Sequence, residues 1–123
     1  MVSVEEMLLG VELIRNPTRF KVVKGVIEGL TLKEISSKYG IKYRYLSRLC
    51  LDMSRKGLFM RSKLFKNVVY IPTPKVVGAF KYACKELYAR MLRLEGSERV
   101  KFLNMYGFTY EELVKQVKEV WIS

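Results

Sequence analysis

Histidine is absent from this 123-residue chain, glutamine occurs once, as Gln116, and the only cysteines are Cys50 and Cys84. Two distant thiols without an imidazole cannot assemble a zinc site, so no metal is expected. The same lack removes the usual base for a serine or cysteine nucleophile, and neither a paired-carboxylate site nor a phosphate-cradling glycine loop stands in its place. The chain is therefore expected to bind rather than catalyse, and to need no cofactor. No apolar run is long enough to cross a bilayer. The opening MVSVEEMLLGVELIR sets Glu5 and Glu6 where a secretory signal carries lysines, so a cytoplasmic protein with no membrane partner is expected. Scarce Gln and His beside plentiful Lys, Glu, Val and Ile resemble the residue usage of hyperthermophile proteins.

Acidic residues are also scarce in the middle of the chain. Residues 15–75 hold fifteen bases against three acids, whereas residues 1–14 hold three acids and no base and residues 76–123 hold eight bases and six acids. The formal charge of +11 thus arises in the middle. A solvated basic face is the ordinary reading of such a stretch, but an excess confined to one half of a small protein is the expected footprint for a polyphosphate backbone. At this length the expectation is one domain, residues 1–123, burying roughly two-thirds of its unfolded surface.

Capping signals divide the chain. Ser3 with Glu6 forms a capping box, and Val4, Met7, Leu8, Val11 and Ile14 recur at helical spacing, which predicts a helix over 4–15. Asn16-Pro17 stops it and starts a second, with Phe20, Val23, Val26 and Ile27 inward and Gly29 at its end. Thr31 with Glu34 opens a short third helix to Tyr39, closed by Gly40. The fourth runs from about 43 to 56, burying Leu46, Leu49, Cys50 and Met53 and leaving Tyr43, Arg44, Ser47, Arg48 and Asp52 on the opposite face, with Tyr45 near the boundary.

After Gly57, residues 58–65 and 68–71 read as a hairpin turning at Lys66-Asn67. If Phe65 pairs with Val68, Met60, Ser62, Leu64, Val69 and Ile71 share the face expected to pack on the core, and Phe59, Arg61, Lys63 and Tyr70 share the other. Thr73-Pro74 begins a long helix to about Leu94, and two shorter ones are predicted over 98–106 and, after Thr109, over 110–121, where Leu113, Val117, Val120 and Trp121 are apolar.

Two helices joined through Gly40-Ile41 and followed at once by a basic hairpin make a helix-turn-helix with a wing. The expected fold is mainly α (α+β), a winged helix-turn-helix with a two-stranded β-wing and additional N- and C-terminal helices. In that arrangement the second helix lies in the major groove of DNA. Arg44 and Arg48 can each offer a fork to guanine. Tyr43, Tyr45 and Ser47 can donate to phosphate or touch a thymine methyl, although the two rings read equally well as cover for the core edge. Lys33, Lys38 and Lys42 would neutralise backbone charge. Arg61, Lys63 and Lys66 on the wing, about 58–71, would reach the minor groove or its phosphates. Phe65 near the tip reads as a core residue or an exposed wedge, with core favoured.

Residues 16–75 resemble the winged-helix domain of the ArsR and MarR families of transcription regulators. NPTRFKVV is similar to the ArsR helix start, TLKEISSKYGIKYRYLSRLCLDMSRKGLFMR to the helix-turn-helix and first wing strand of both, and IPTPKVVGAF to the MarR passage from wing to dimerisation helix. The resemblance implies operator binding as a homodimer, with 16–75 as the DNA-binding core and 1–15 and 74–123 as flanking dimerisation helices. LKEISSKY lacks the cysteines of metal-sensing ArsR proteins, so metal sensing does not carry over.

Val77, Phe80, Cys84, Leu87, Met91 and Leu94 alternate by three and four, the pattern of a coiled-coil seam. Packing within the chain is the ordinary reading and self-association the favoured one. A two-fold dimer would demand a pseudo-palindromic operator, and an antiparallel seam centred near Cys84 would bring the two copies of that thiol within disulfide range. Cys50 reads as an inert buried thiol. Two rivals remain: a protein-interaction module of a transcription or replication assembly, and a sensor gated by a small-molecule effector lodged between the DNA-binding region and the dimer helices.

Overall fold

The computed structural model describes the backbone of residues 2–64 and 67–122, and their side chains except at 64, 67 and 120–122. Seven helices and one two-stranded antiparallel sheet make up the described residues, so the protein is mainly helical with a small β element. The order is α1 (Val4–Arg15), α2 (Pro17–Ile27), α3 (Leu32–Tyr39), α4 (Tyr43–Arg55), β1 (Phe59–Leu64), β2 (Asn67–Pro72), α5 (Pro74–Met91), α6 (Gly96–Met105) and α7 (Tyr110–Ile122). No described helix is long and apolar enough to cross a membrane. The chain divides into two compact units, Lys21–Val77 and the combination of Met1–Phe20 with Gly78–Ser123.

The discontinuous unit is organised around aromatic rings. Phe20 stacks on Phe80 at 5.2 Å and meets Tyr106 edge-on at the same distance, with Phe108 5.9 Å away. Such offset and edge-to-face pairs add to the gain from burial alone. Leu13, Ile14, Leu87, Met91, Leu103, Leu113 and Val117 complete this core. The Tyr106 hydroxyl donates to the Ile14 carbonyl at 2.7 Å. That carbonyl belongs to the last turn of α1, which has no helical donor of its own. Burial raises the Tyr106 phenol above its ordinary value, with Arg90 acting weakly the other way.

The seam expected along α5 is already filled. Phe80, Cys84, Leu87 and Met91 are each 2% exposed or less within a single chain, leaving nothing for a second copy to cover. The three-four spacing is satisfied by intrachain packing, as the Phe80–Phe108 ring pair at 6.5 Å shows. Val77 is half-buried. Leu94 lies beyond the helix, which ends at Met91 as the chain tightens into bonds from Arg93 to Arg90 and from Leu94 to Met91. A buried Cys84 is likewise out of reach of a twin.

The continuous unit holds α3, α4, the hairpin and most of α2. Its core is mostly aliphatic: Val22, Val23, Val26, Leu32, Ile35, Ile41, Leu46 and Leu49 are buried, together with Cys50 and Met53. Close approach of α2 and α3 depends on Gly25, since a Cβ there would sit 2.7 Å from Ile35. The hairpin departs from expectation in two ways. Leu64 pairs with Asn67, a register shifted by two residues from a Phe65–Val68 pairing, with a turn of the same length. A two-residue shift preserves which side chains share a face, but the inward face is the opposite one. Phe59 and Tyr70, with ring centroids 6.1 Å apart, are 1% and 4% exposed, whereas Met60 and Ile71 lie outward at 55% and 43%. Two rings remove more apolar area from water than a methionine and an isoleucine, which decides the orientation.

Candidate nucleic-acid interface

The surface of interest is built on α4, and α3 sets its attitude. Thr31 and Glu34 close a reciprocal capping box, with bonds of 3.2 and 3.0 Å, that starts α3. Gly40 then turns the chain at φ 64°, a left-handed conformation that costs glycine least. Ile41 plugs the turn at 8% exposure, and the Ser36 hydroxyl donates to its carbonyl at 2.6 Å. Lys42 is the residue before α4, which has no side-chain cap and no acid in its first turn. A helix start of this kind carries unsatisfied N–H groups and partial positive charge with no internal anion to balance them.

Leu46, Leu49, Cys50 and Met53 anchor α4 from behind, each 8% exposed or less. Burial pushes the Cys50 thiol up to about 12, as suits an unreactive packing group. The outward side therefore carries Arg44 and Arg48, both exposed, with Tyr43 at 49% and Tyr45 at 46% on its two edges. Ser47 is half-buried. Two residues that the sequence reading missed complete the central line: Leu51, at 37% exposure, and Arg55, exposed in the last turn. Their signal was present, since 44, 48, 51 and 55 follow the helical four-three-four spacing. Asp52, the acid on this side, pairs with Lys56 at 3.0 Å.

Of the other candidate residues, Lys33 and Lys42 are exposed, as are Arg61 and Lys63 on β1. Arg61 lies opposite Tyr70 in the sheet. Burial raises the Tyr70 phenol, and the charge and hydrogen bond of Arg61 oppose that rise. Lys66 and Phe65 lie outside the described residues. Lys38 is different from the rest, because its ammonium is held by Glu28 at 2.8 Å. That carboxylate also accepts from Tyr39 at 2.8 Å and from Lys24, 4% exposed, at 3.3 Å. Partial burial would raise Glu28, but the hydrogen bonds from Lys38 and Tyr39 and the nearby Lys24 charge outweigh it, and the net direction is downward. The cluster ties α2 to α3 and takes Lys38 out of the set of uncommitted bases.

Among the described residues no group of three or more metal-ligating side chains comes together. No family model, curated protein or solved structure matches the chain.

Proposed function

We propose that this protein is a transcription regulator that binds duplex DNA sequence-specifically through a winged helix-turn-helix, with α4 in the major groove and the hairpin beside it. The observation that carries this reading is the face of α4: two exposed arginines and two exposed tyrosines on a helix whose opposite side is anchored in the core. Arg44 and Arg48 supply guanine recognition, and Lys33, Lys42, Arg61 and Lys63 the phosphate contacts. The resemblance of residues 16–75 to ArsR and MarR domains points the same way.

Two copies bind together in this proposal, joined by a surface other than the buried α5 stripe. On α1, Val4 and Leu8 are 68% and 63% exposed, on the side away from buried Gly10, Leu13 and Ile14. That helix has acids in its first turn and Arg15 in its last, so an antiparallel copy sets unlike charges and opposite dipole ends against each other.

Binding of the full chain to duplexes selected from a random pool tests the reading. Four phosphate contacts from each of the two copies predict a log–log salt slope of about −7.2, a loss of roughly 20,000-fold between 50 and 200 mM salt. The footprint is expected to cover two half-sites about 34 Å apart. Salt-insensitive binding, or no enriched sequence, favours the alternative of a protein-interaction module. A second reading, gating by an effector, is favoured by a cleft of about 440 Å³ between α6 and α7, floored by Leu103 and Phe108 and rimmed by Arg99 and Asn104. That volume suits a small ligand.

A further inference from the structure

Leu51 lies where a core residue is not needed. Scattered exposed leucines are ordinary on protein surfaces, but this one occupies the centre line of the α4 outer face. Arg48 precedes it by three positions and Arg55 follows by four, and the buried stripe of Leu46, Leu49, Cys50 and Met53 is on the opposite side. Its neighbour Asp52 is engaged by Lys56 at 3.0 Å, and among the described residues no ion pair involves Arg44, Arg48 or Arg55. The line is thus cation, cation, apolar group, cation. With about 1.5 Å rise per residue, Leu51 is roughly 10 Å along the helix from Arg44, a span of about three base pairs.

In the major groove the base edges offer two kinds of feature: hydrogen-bonding atoms, and a single apolar one, the C5-methyl group of thymine. Arginines can use the first, and a leucine can use the second. Resting on the DNA-binding reading above, we propose that Leu51 recognises the C5-methyl of a thymine, so that each half-site contains a thymine about three base pairs from the guanine read by Arg44. The contact forms no hydrogen bond; its gain comes from removing the methyl and the leucine side chain from water together.

The test uses the full chain and duplexes selected from a random pool at fixed salt. The thymines of the enriched site are replaced by uracil one position at a time, in both half-sites together, which keeps the pairing and deletes only the methyl groups. For wild type, one such replacement is expected to weaken binding about five- to tenfold, and Leu51→Ala is expected to weaken binding to the thymine duplex to a similar extent while no longer distinguishing uracil from thymine. Alanine is a good helix former at an exposed position, so an unchanged circular-dichroism melt separates this from misfolding. Equal wild-type affinity for every uracil duplex overturns the proposal and leaves sequence-specific binding standing. So does a uracil penalty that persists in Leu51→Ala. A pool with no enriched sequence overturns both readings together.

Discussion

The two compact units of this chain differ more in charge than in size. Lys21–Val77 carries thirteen bases and three acids, whereas the remainder carries ten bases and nine acids. Their interiors differ in the opposite sense, with interlocking rings in the nearly neutral unit and mostly aliphatic side chains in the basic one. Like charges repel, so a unit with a net charge of +10 is destabilised by its own field unless an anion is near. The contrast separates two tasks: one unit presents cations outward from a modest core, and the other supplies packing.

The largest effect is expected in the aromatic unit. Phe20 is fully buried and touches three other rings, so Phe20→Ala removes transfer energy and leaves a cavity, about 3–5 kcal/mol in all. Thermal or urea unfolding reads this directly. A loss under 1 kcal/mol would mean that the ring cluster is not the keystone of its unit.

The charge contrast is tested by moving the same substitution between units. Arg44→Ala with Arg48→Ala is expected to lower DNA affinity at least thirtyfold for each copy bound, from two contacts of about 1–3 kcal/mol in each half-site. Neutralising the exposed pair Arg93 and Lys101 in the other unit removes equal charge and is expected to change affinity by less than threefold. Equal losses would reduce the proposal to nonspecific attraction by net charge. A smaller effect separates the hydrogen bond in the aromatic core from its packing. Tyr106→Phe keeps the ring and strands the Ile14 carbonyl, costing about 1–3 kcal/mol. Loss of the hydroxyl without loss of stability would show that water reaches that carbonyl.

Much of the fold was legible because punctuation is local. Ser3 with Glu6, Thr31 with Glu34, and Gly40 act within one helical turn, and α1 and α3 begin where those residues predict. The site was legible for the same reason, since helical spacing alone sorts α4 into a buried and an open side. What failed depends on distant partners. The α5 stripe has identical spacing whether its partner is a second copy or other parts of its own chain, such as Phe20 and Phe108, and nothing local distinguishes them. The hairpin alternation fixed its two faces without saying which one meets the core. Lys38 was read as an uncommitted base because Glu28, ten residues earlier, is brought to it only by the packing of α2 on α3.

That last contact yields the smallest prediction and the most discriminating one about the basic unit. The folded-state carboxyl of Glu28 is depressed, chiefly by hydrogen bonds from Lys38 and Tyr39 and the Lys24 charge acting against partial burial. A depressed carboxyl contributes stability that is complete above the unfolded value and disappears as pH falls through the lower, folded value. Glu28→Gln mimics the protonated form. The variant is therefore expected to unfold at lower urea than wild type at pH 7, and the gap is expected to close on the acid side of the ordinary carboxylate range. Glu34 is depressed as well, through its bonds to Thr31, but it is present in both proteins and drops out of the difference. Because the Glu28 side chain is 32% exposed, solvent screens the cluster and the effect is modest. A gap of the same size at pH 7 and pH 3 would show that the cluster holds α2 to α3 by shape rather than by charge.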